Sequence, residues 1–434
     1  MSICTITGWI TCFGLATGID ILCAQAYGAG QNRLVGVVLT RASVVLLITL
    51  IPPVALSWWY SEQILLLLGQ DPGISQAVGT YTRLFLPSLV PATLFENLRR
   101  CLQAQNVTWP LLGVTAGCLV VNVALHYMFV CEMELGVEGA AVALGSTYLV
   151  QLVAMIWTVW AFSLGKPGTW SGLLSREALQ AWQQYLSLAV PGMAAACLEV
   201  WVFEATPLLA GYIDETALAA QTVLLNLNYL FFRCASSISM AATIRVGNLL
   251  GAADGASARL AALAAVGMAA CTGLVLFFFV ILGQRWWPRA FTGDPEVLEE
   301  LRQGVIVLAI FQLVDTVQFT CGGIFKGMGR PQVQVVGVVL CFWLAGIPLA
   351  MYLSLVREWG TAGIWWGLVL AEIPLASYFL AKLALTDWQR EQELAIARTK
   401  QSSVSDRTCA SAETGSGAFV ELQDVTSPSP NPNP

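Results

Sequence analysis

Charge is scarce in this chain. Asp, Glu, Lys and Arg make up 11% of its 434 residues, there is a single histidine, His126, and the twelve cysteines form no CxxC pair. An ordinary soluble domain has about a quarter of its residues charged, so that class is excluded. One histidine cannot build a paired-histidine zinc site, and no Ser-His or metal-ligating cluster appears in the apolar segments. His126 lies in an apolar run and reads as a hydrogen-bonded core residue. The cysteines, among them Cys118, Cys197, Cys271 and Cys341, sit almost entirely inside apolar runs and read as small core residues. No enzyme class, metal centre, cofactor or nucleic-acid partner is implied. The opening MSICTITGWITCFGLATGIDILCA lacks the basic region of a cleavable signal and reads as the start of a membrane helix.

Apolar surface is plentiful instead. With 57% hydrophobic residues and a positive mean hydropathy, the chain is expected to be an all-α polytopic membrane protein. A helix of about 20 apolar residues crosses a ~30 Å hydrocarbon core. Eleven such segments can be marked, from Ile3–Ala26 to Gly363–Leu385. The loops between them alternate in charge. One set carries Arg33, Arg99, Arg100, Lys166, Arg176, Arg245, Arg259, Lys326 and Arg330, and the other Glu132, Glu134, Asp214, Glu215, Asp294, Glu296, Glu299 and Glu300. The positive-inside rule makes the basic set cytoplasmic, with the start outside and the tail inside. The exceptions Arg285, Arg289 and Arg357 stand beside acids on the outer side. Asn106-Val107-Thr108 matches a glycosylation acceptor but lies in the basic set.

The chain also repeats itself. A shift of 223 carries QDPGI at Gln70 onto GDPEV at Gly293, and YGAGQ at Tyr27 onto LGAAD at Leu250. A shift of 224 carries Gly113, Gly136 and Gly139 onto Gly337, Gly360 and Gly363, the last two within the paired phrases ELGVEGA and EWGTAGI. Internal repeats of this length mark two-lobed membrane bundles. The expected organisation is an N-terminal lobe over 1–163, a linker with an amphipathic interfacial helix over 164–185, a C-terminal lobe over 186–386 and a cytoplasmic tail over 387–434. The tail begins as a charged helix and then becomes Ser- and Pro-rich and disordered. The segment Leu188–Gly211 has no counterpart at that shift, so the first lobe counts five helices and the second six, eleven of an expected twelve.

Few charges fall inside the apolar segments: Asp20, Glu96, Glu199, Glu204, Arg233, Asp315 and Glu372. An acid at mid-membrane depth costs roughly 2.5 to 3.5 kcal/mol on insertion scales, which makes each of them a functional candidate. Glu199 and Glu204 share one helix and are separated by about 140° around it, so they do not point along one line. Pro207, three residues on, removes a backbone donor and is expected to bend or unwind the helix nearby. A carboxyl buried among apolar groups with other acids close by can hold a proton at working pH. A cation and a proton competing for such carboxyls would be exchanged, and Glu199, Glu204 and Asp315 are the expected proton and cation site. Asp20, Glu96 and Glu372 are placed nearer helix ends and assigned to assembly, and Arg233 is expected to act as a structural counter-ion. Trp201 and Tyr229 could meet an organic cation through their ring faces, and Asn226, Gln221 and Gln318 could hydrogen-bond within a cavity.

The phrases AQAYGAGQNR, LRRCLQAQNVTWP, LEVWVFEATPLLAG, IRVGNLLGAAD, GGIFKGMGRPQ and WLAGIPLAMYL resemble, in order and spacing, those of the multidrug and toxin extrusion transporters, with the animal proton-coupled organic cation exporters most alike. The resemblance spans Ile3 to about Arg390. It implies two pseudo-symmetric helical lobes around a central cavity and export of organic cations in exchange for protons by alternating access. It implies a multi-pass monomer in the plasma membrane, contacting lipid and needing no cofactor beyond a coupling ion, a proton by resemblance although the chemistry alone also admits sodium. The family's acids on its seventh and tenth helices match Glu199, Glu204 and Asp315. The chain departs from the pattern in lacking the first family helix, at Val200, where animal members often have a tryptophan, at Asn226, where some carry a glutamate, and at Gln312, where a histidine is common. A non-transporting membrane protein and an exporter of other amphipathic cargo are the alternatives.

Overall fold

The computed structural model describes residues 4–173 and 176–413. Among them there are helices and turns and no strand. Among the described residues nine helices are long and apolar enough to cross a membrane: α1 (Thr7–Gly28), α2 (Asn32–Trp59), α5 (Trp109–Glu132), α6 (Gly136–Ala161), α7 (Trp182–Gly211), α9 (Gly255–Gly283), α10 (Pro295–Gly327), α11 (Gln332–Val356) and α12 (Gly360–Ala384). Two further rods complete the eleven expected segments. One is α3 (Pro72–Phe85) running through a 3-10 turn at Leu86–Ser88 into α4 (Leu89–Ala104). The other is α8 (Glu215–Gly251). Both are more polar than the nine: α4 carries Glu96, Arg99 and Arg100, and α8 carries Arg233 and Arg245.

Local chemistry explains where the rods begin, bend and end. Asp71, Asp214, Asp254 and Asp294 each accept a hydrogen bond from a backbone N–H in the first turn of α3, α8, α9 and α10. That is the N-cap role for which a short carboxylate is suited. A π-type turn at Leu46–Leu50 precedes Pro52 and Pro53, and another at Val339–Gly346 precedes Pro348. A proline cannot donate to the carbonyl four residues back, so the ladder loosens just before it.

The repeat in the sequence is a repeat in space. Asp71 and Asp294, one shift apart, are both N-caps followed by proline. Glu134 and Gly136 take left-handed φ values of 54° and 55°, and their partners Glu358 and Gly360 take 56° and 57°. Gly30 with Ala253, and Asn106 with Gly329, are left-handed in the same paired fashion. The two halves meet in a contact that is itself symmetric. A Cβ on Gly28 would lie 1.9 Å from the carbonyl oxygen of Asn248, and one on Gly251 would lie 2.1 Å from that of Gln25. Only glycine permits backbones this close.

The buried apolar residues form separate clusters. The largest runs through the second half around Phe311, Phe325, Phe342, Trp365 and Phe379. Another joins Ile19, Ile21, Val35 and Val45 of the first half to Tyr185 and Leu188 of α7. Other apolar faces stay outside: of the most apolar stretch of α5 only 6% is buried, leaving Leu119, Val120 and Val123 on its surface. In water that surface would be unstable, and in a bilayer it is the face lipid covers.

The connection between the halves differs from the sequence expectation. In place of an amphipathic helix there are two short 3-10 turns, Trp170–Gly172 and Arg176–Leu179, and residues 174 and 175 lie outside the described part. Gly165 and Gly168 adopt φ of 93° and 91°, which a helix cannot contain, and Trp170 folds back to donate its Nε1 to the carbonyl of Leu164 at 2.9 Å. The chain beyond α12 is helical as α13 (Trp388–Glu413). It packs against the end of the molecule that carries the basic loops, through Glu391 to Arg330 at 2.9 Å, Gln392 to the N–H of Gly255 at 2.8 Å and a buried Ala395. The stretch after Lys400, expected to be Ser- and Pro-rich and disordered, instead continues the helix to Glu413, and 414–434 falls outside the described residues.

Candidate functional site

Helix α7 contains Pro191 and Pro207 yet remains α-helical from Trp182 to Gly211, so the unwinding expected at Pro207 does not occur. Pro207 cannot donate to the carbonyl of Phe203, and the hydroxyl of Thr206 does so in its place at 2.8 Å. Thr206 in turn accepts from Gln221 of α8 at 2.7 Å, and Gln221 accepts from Trp365 of α12 at 2.9 Å. Gln221 is therefore consumed in holding three helices together and does not offer itself to a cavity.

About two turns before Thr206, Glu199 projects into the second half. It is 6% exposed and accepts hydrogen bonds from Gln318 of α10 and Gln334 of α11, both at 3.1 Å. Asp315, one turn before Gln318, is likewise buried. Its carboxyl lies within hydrogen-bond reach of Glu372 of α12, and Glu199 is close enough to act on both electrostatically. Three carboxyls from α7, α10 and α12 thus converge in an interior whose other donors are neutral amides. Oxygens of Asp315, Glu372 and Gln318 are buried without a protein donor. Two carboxyls at this separation cannot both be ionised comfortably, and a proton between them lets one donate to the other.

The remaining sequence candidates lie elsewhere. Glu204 is only partly buried and accepts from the hydroxyl of Tyr229 at 3.1 Å. Trp201, Asn226 and Tyr229 are exposed on α7 and α8, and of the three it is Tyr229 that bonds Glu204. Gln318 is the one expected cavity amide that reaches the buried site. Gln312 donates to Asn228 at 2.7 Å and is fully buried. Arg233 is exposed and forms no ion pair with any described residue, so the counter-ion role expected for it is not what the fold gives it. His126 is partly buried and bonds through Nδ1 to the carbonyl of Asn122 at 2.9 Å.

Three residues at or beside the site escape the sequence reading. Glu372, expected near a helix end, stands at the middle of α12 and is fully buried. Gln334 attracts no notice as a sequence feature, and Lys326 counts there only as one of the basic loop residues. Lys326, in the last turn of α10, reaches back over the ring of Phe319 at 5.6 Å, since helical side chains lean toward the N-terminus. The intramembrane position of Glu372 is visible in the sequence, whereas its partnership with Asp315 depends on how α10 and α12 are rotated against each other.

The first half holds charges of a different kind. Arg100 of α4 donates to Asp20 of α1 and, at 2.7 Å, to Glu96, while Arg99 forks onto Glu96 at 2.6 and 2.8 Å. Asp20 and Glu96 therefore do serve assembly, each paired with a guanidinium.

The family model MatE matches residues 1–128 and 191–352. The chain belongs to the MatE family. The matched stretches leave out α6, the inter-half connection and the start of α7, as well as the end of the second half with Glu372, and include the positions of Glu199 and Asp315. Among relatives, the chain is 32% identical over 398 residues to Protein DETOXIFICATION 48 of Arabidopsis thaliana, covering 91% of this chain and 74% of that protein. To Multidrug and toxin extrusion protein 1 of Homo sapiens it is 30% identical over 395 residues, covering 90% and 68%. Plant and animal MatE relatives thus stand at similar distance, and the special likeness to animal members is not singled out. The fold superposes on the crystal structure of the eukaryotic MATE transporter AtDTX14 with a TM-score of 0.85, at 25% identity and 92% and 89% coverage. A mutant form of the Vibrio cholerae MATE transporter VcmN shares the fold at a TM-score of 0.77 and 16% identity, with 88% and 86% coverage. The protein is a multi-pass membrane transporter of the MatE family.

Proposed function

We propose that the chain is a secondary antiporter that exports organic cations in exchange for protons by alternating access, with Glu199, Asp315 and Glu372 as the exchanging carboxyls. The observation that carries this reading is the convergence of three acids from α7, α10 and α12 on neutral amide donors. Buried carboxylates whose direct donors are neutral amides attract either protons or a cationic guest, and one set of charges cannot hold both fully. Competition for that set is sufficient for exchange. Glu204, hydrogen-bonded to Tyr229 and three residues after the exposed Trp201 on α7, serves as a more accessible station where an organic cation meets an acid and ring faces together.

The names of the human relative and of AtDTX14 accord with this reading, as does the location of the site wholly within the second half. The lobes are taken as 1–163 and 186–386, joined by 164–185, with the basic loops and the tail from 387 on the cytoplasmic side of the plasma membrane. The test is uptake of a labelled organic cation into proteoliposomes under an imposed outward proton gradient. Wild-type protein should accumulate the cation, and Glu199→Gln combined with Asp315→Asn should abolish the gradient-driven part. Unchanged uptake by the double variant would sink the carboxylate mechanism.

A further inference from the structure

Lys326 occupies an unusual place. The next residue, Gly327, lies where α1, α8 and α10 cross: its carbonyl accepts from Gln25 of α1 at 3.1 Å, and a Cβ on it would meet the carbonyl of Thr243 of α8 at 2.6 Å. Lys326 is therefore anchored at the contact between the halves, near the symmetric pair Gly28 and Gly251. Its ammonium points back into the protein, over Phe319, and makes no ion pair within 4 Å with any described residue.

The charged groups near enough to act on it come from three elements: Glu199 of α7, Asp20 of α1 and Arg100 of α4. Asp20 has one oxygen on Arg100 and the other, Oδ1, buried without a donor. Glu199 has only amide donors. One cation is thus within electrostatic reach of two incompletely paired carboxylates, one in each half. The repeat offers no second copy, since a shift of 223 brings Lys326 onto Gln103, whose Oε1 is engaged by Arg99 at 3.2 Å.

We propose that Lys326 is a shared counter-ion that couples the carboxyl site to closure between the halves, leaning on Glu199 when that group is ionised and on Asp20 when it has been neutralised. This rests on the proposed role of Glu199. A proton or an organic cation at Glu199 removes the attraction on one side of the ammonium. Lys326 then closes on Oδ1 of Asp20 and tightens the contact of α1 with α10, which Gln25 and Gly327 already make. Ionised Glu199 draws the ammonium away from Asp20 and loosens the same contact. Occupancy of the second half is thereby reported to the first through one side chain.

The experiment is hydrogen exchange on the purified full chain in nanodiscs, followed at the turns between α1 and α2 (residues 29–31) and between α8 and α9 (residues 252–254), which flank the contact. Glu199→Gln, fixed as neutral, should slow exchange at both turns several-fold. The slowing should vanish when Lys326→Gln or Asp20→Asn is added and persist with Lys326→Arg, which also guards against a merely misfolded glutamine variant. Slowing of equal size with glutamine at 326, or no slowing by Glu199→Gln alone, overturns the proposal. Because exchange is read without transport, loss of uptake in Glu199→Gln accompanied by an unchanged exchange pattern would remove the lysine relay and leave the carboxylate reading standing.

Discussion

The carboxyl of Asp315 on α10 lies within hydrogen-bond reach of that of Glu372 on α12. Loss of either should be felt as loss of the pair. Asp315→Asn and Glu372→Gln are each expected to lower proton-driven cation uptake by about tenfold or more, within the 5–150-fold range of ordinary coupling energies. The double variant should lose little beyond the worse single. Glu204→Gln, acting at a separate place, should multiply with either, and a cycle in which it does not would contradict the separation.

The hydroxyl of Thr206 stands in for the donor that Pro207 lacks. Thr206→Val leaves the carbonyl of Phe203 and the amide of Gln221 without it, at a cost of about 1–3 kcal/mol for buried unpaired groups. Adding Pro207→Ala restores a backbone donor to Phe203 and should recover part of the loss. Thermal unfolding in detergent reads both, and an additive double variant would refute the substitution of one donor for the other.

Gly28 and Gly251 allow α1 and α8 to touch backbone to backbone. Alanine at either forces the helices apart, and a cost of about 1–3 kcal/mol is expected from overpacking. The two should be less than additive, because one displacement relieves both clashes. Melting temperatures of the single and double variants decide it.

Arg100 holds Asp20 and Glu96 together in a buried setting. Arg100→Met strands Asp20, while Glu96 keeps the fork from Arg99, and should destabilise by about 3–5 kcal/mol, whereas Asp20→Asn and Arg100→Met combined should recover much of that. A double variant no more stable than Arg100→Met would mean that packing of the guanidinium, not charge, dominates.

Asp254 caps α9 outside the apolar spans, and the hydrogen bonds from Ser257 hold its carboxyl below the usual aspartate range. A lowered folded value means the cap contributes fully above the unfolded value of about 3.9 and is lost only as pH falls through the folded one. Asp254→Ala should therefore speed exchange of the Ser257 amide by the same factor at every pH from about 5 to 8. A factor that shrinks across this window would show some other group titrating.

Much of the architecture is readable in one dimension because its causes are local. Apolar length marks the rods, Asp followed by Pro starts α3 and α10, and paired left-handed residues such as Glu134 with Glu358 end the preceding helices, so the repeat in sequence had to be a repeat in shape. The failures share one cause. Pro207 suggests bending or unwinding in α7, and the unwinding does not follow because the rescuing hydroxyl of Thr206 is a matter of rotamer. The linker suggests a helix because its apolar residues, Trp170, Leu173 and Trp182 among them, have amphipathic spacing, while the φ of Gly165 and Gly168 is set by where the connection must run.

The sequence alone determined that acids lie in the membrane and on which helices, since hydropathy and charge are properties of each segment by itself. Which acids meet was decided only in three dimensions. Rotation and depth of α7, α10 and α12 bring Glu199, Asp315 and Glu372 together, leave Glu204 to Tyr229, and set Lys326 between the halves, because those are properties of helix packing that no single segment contains.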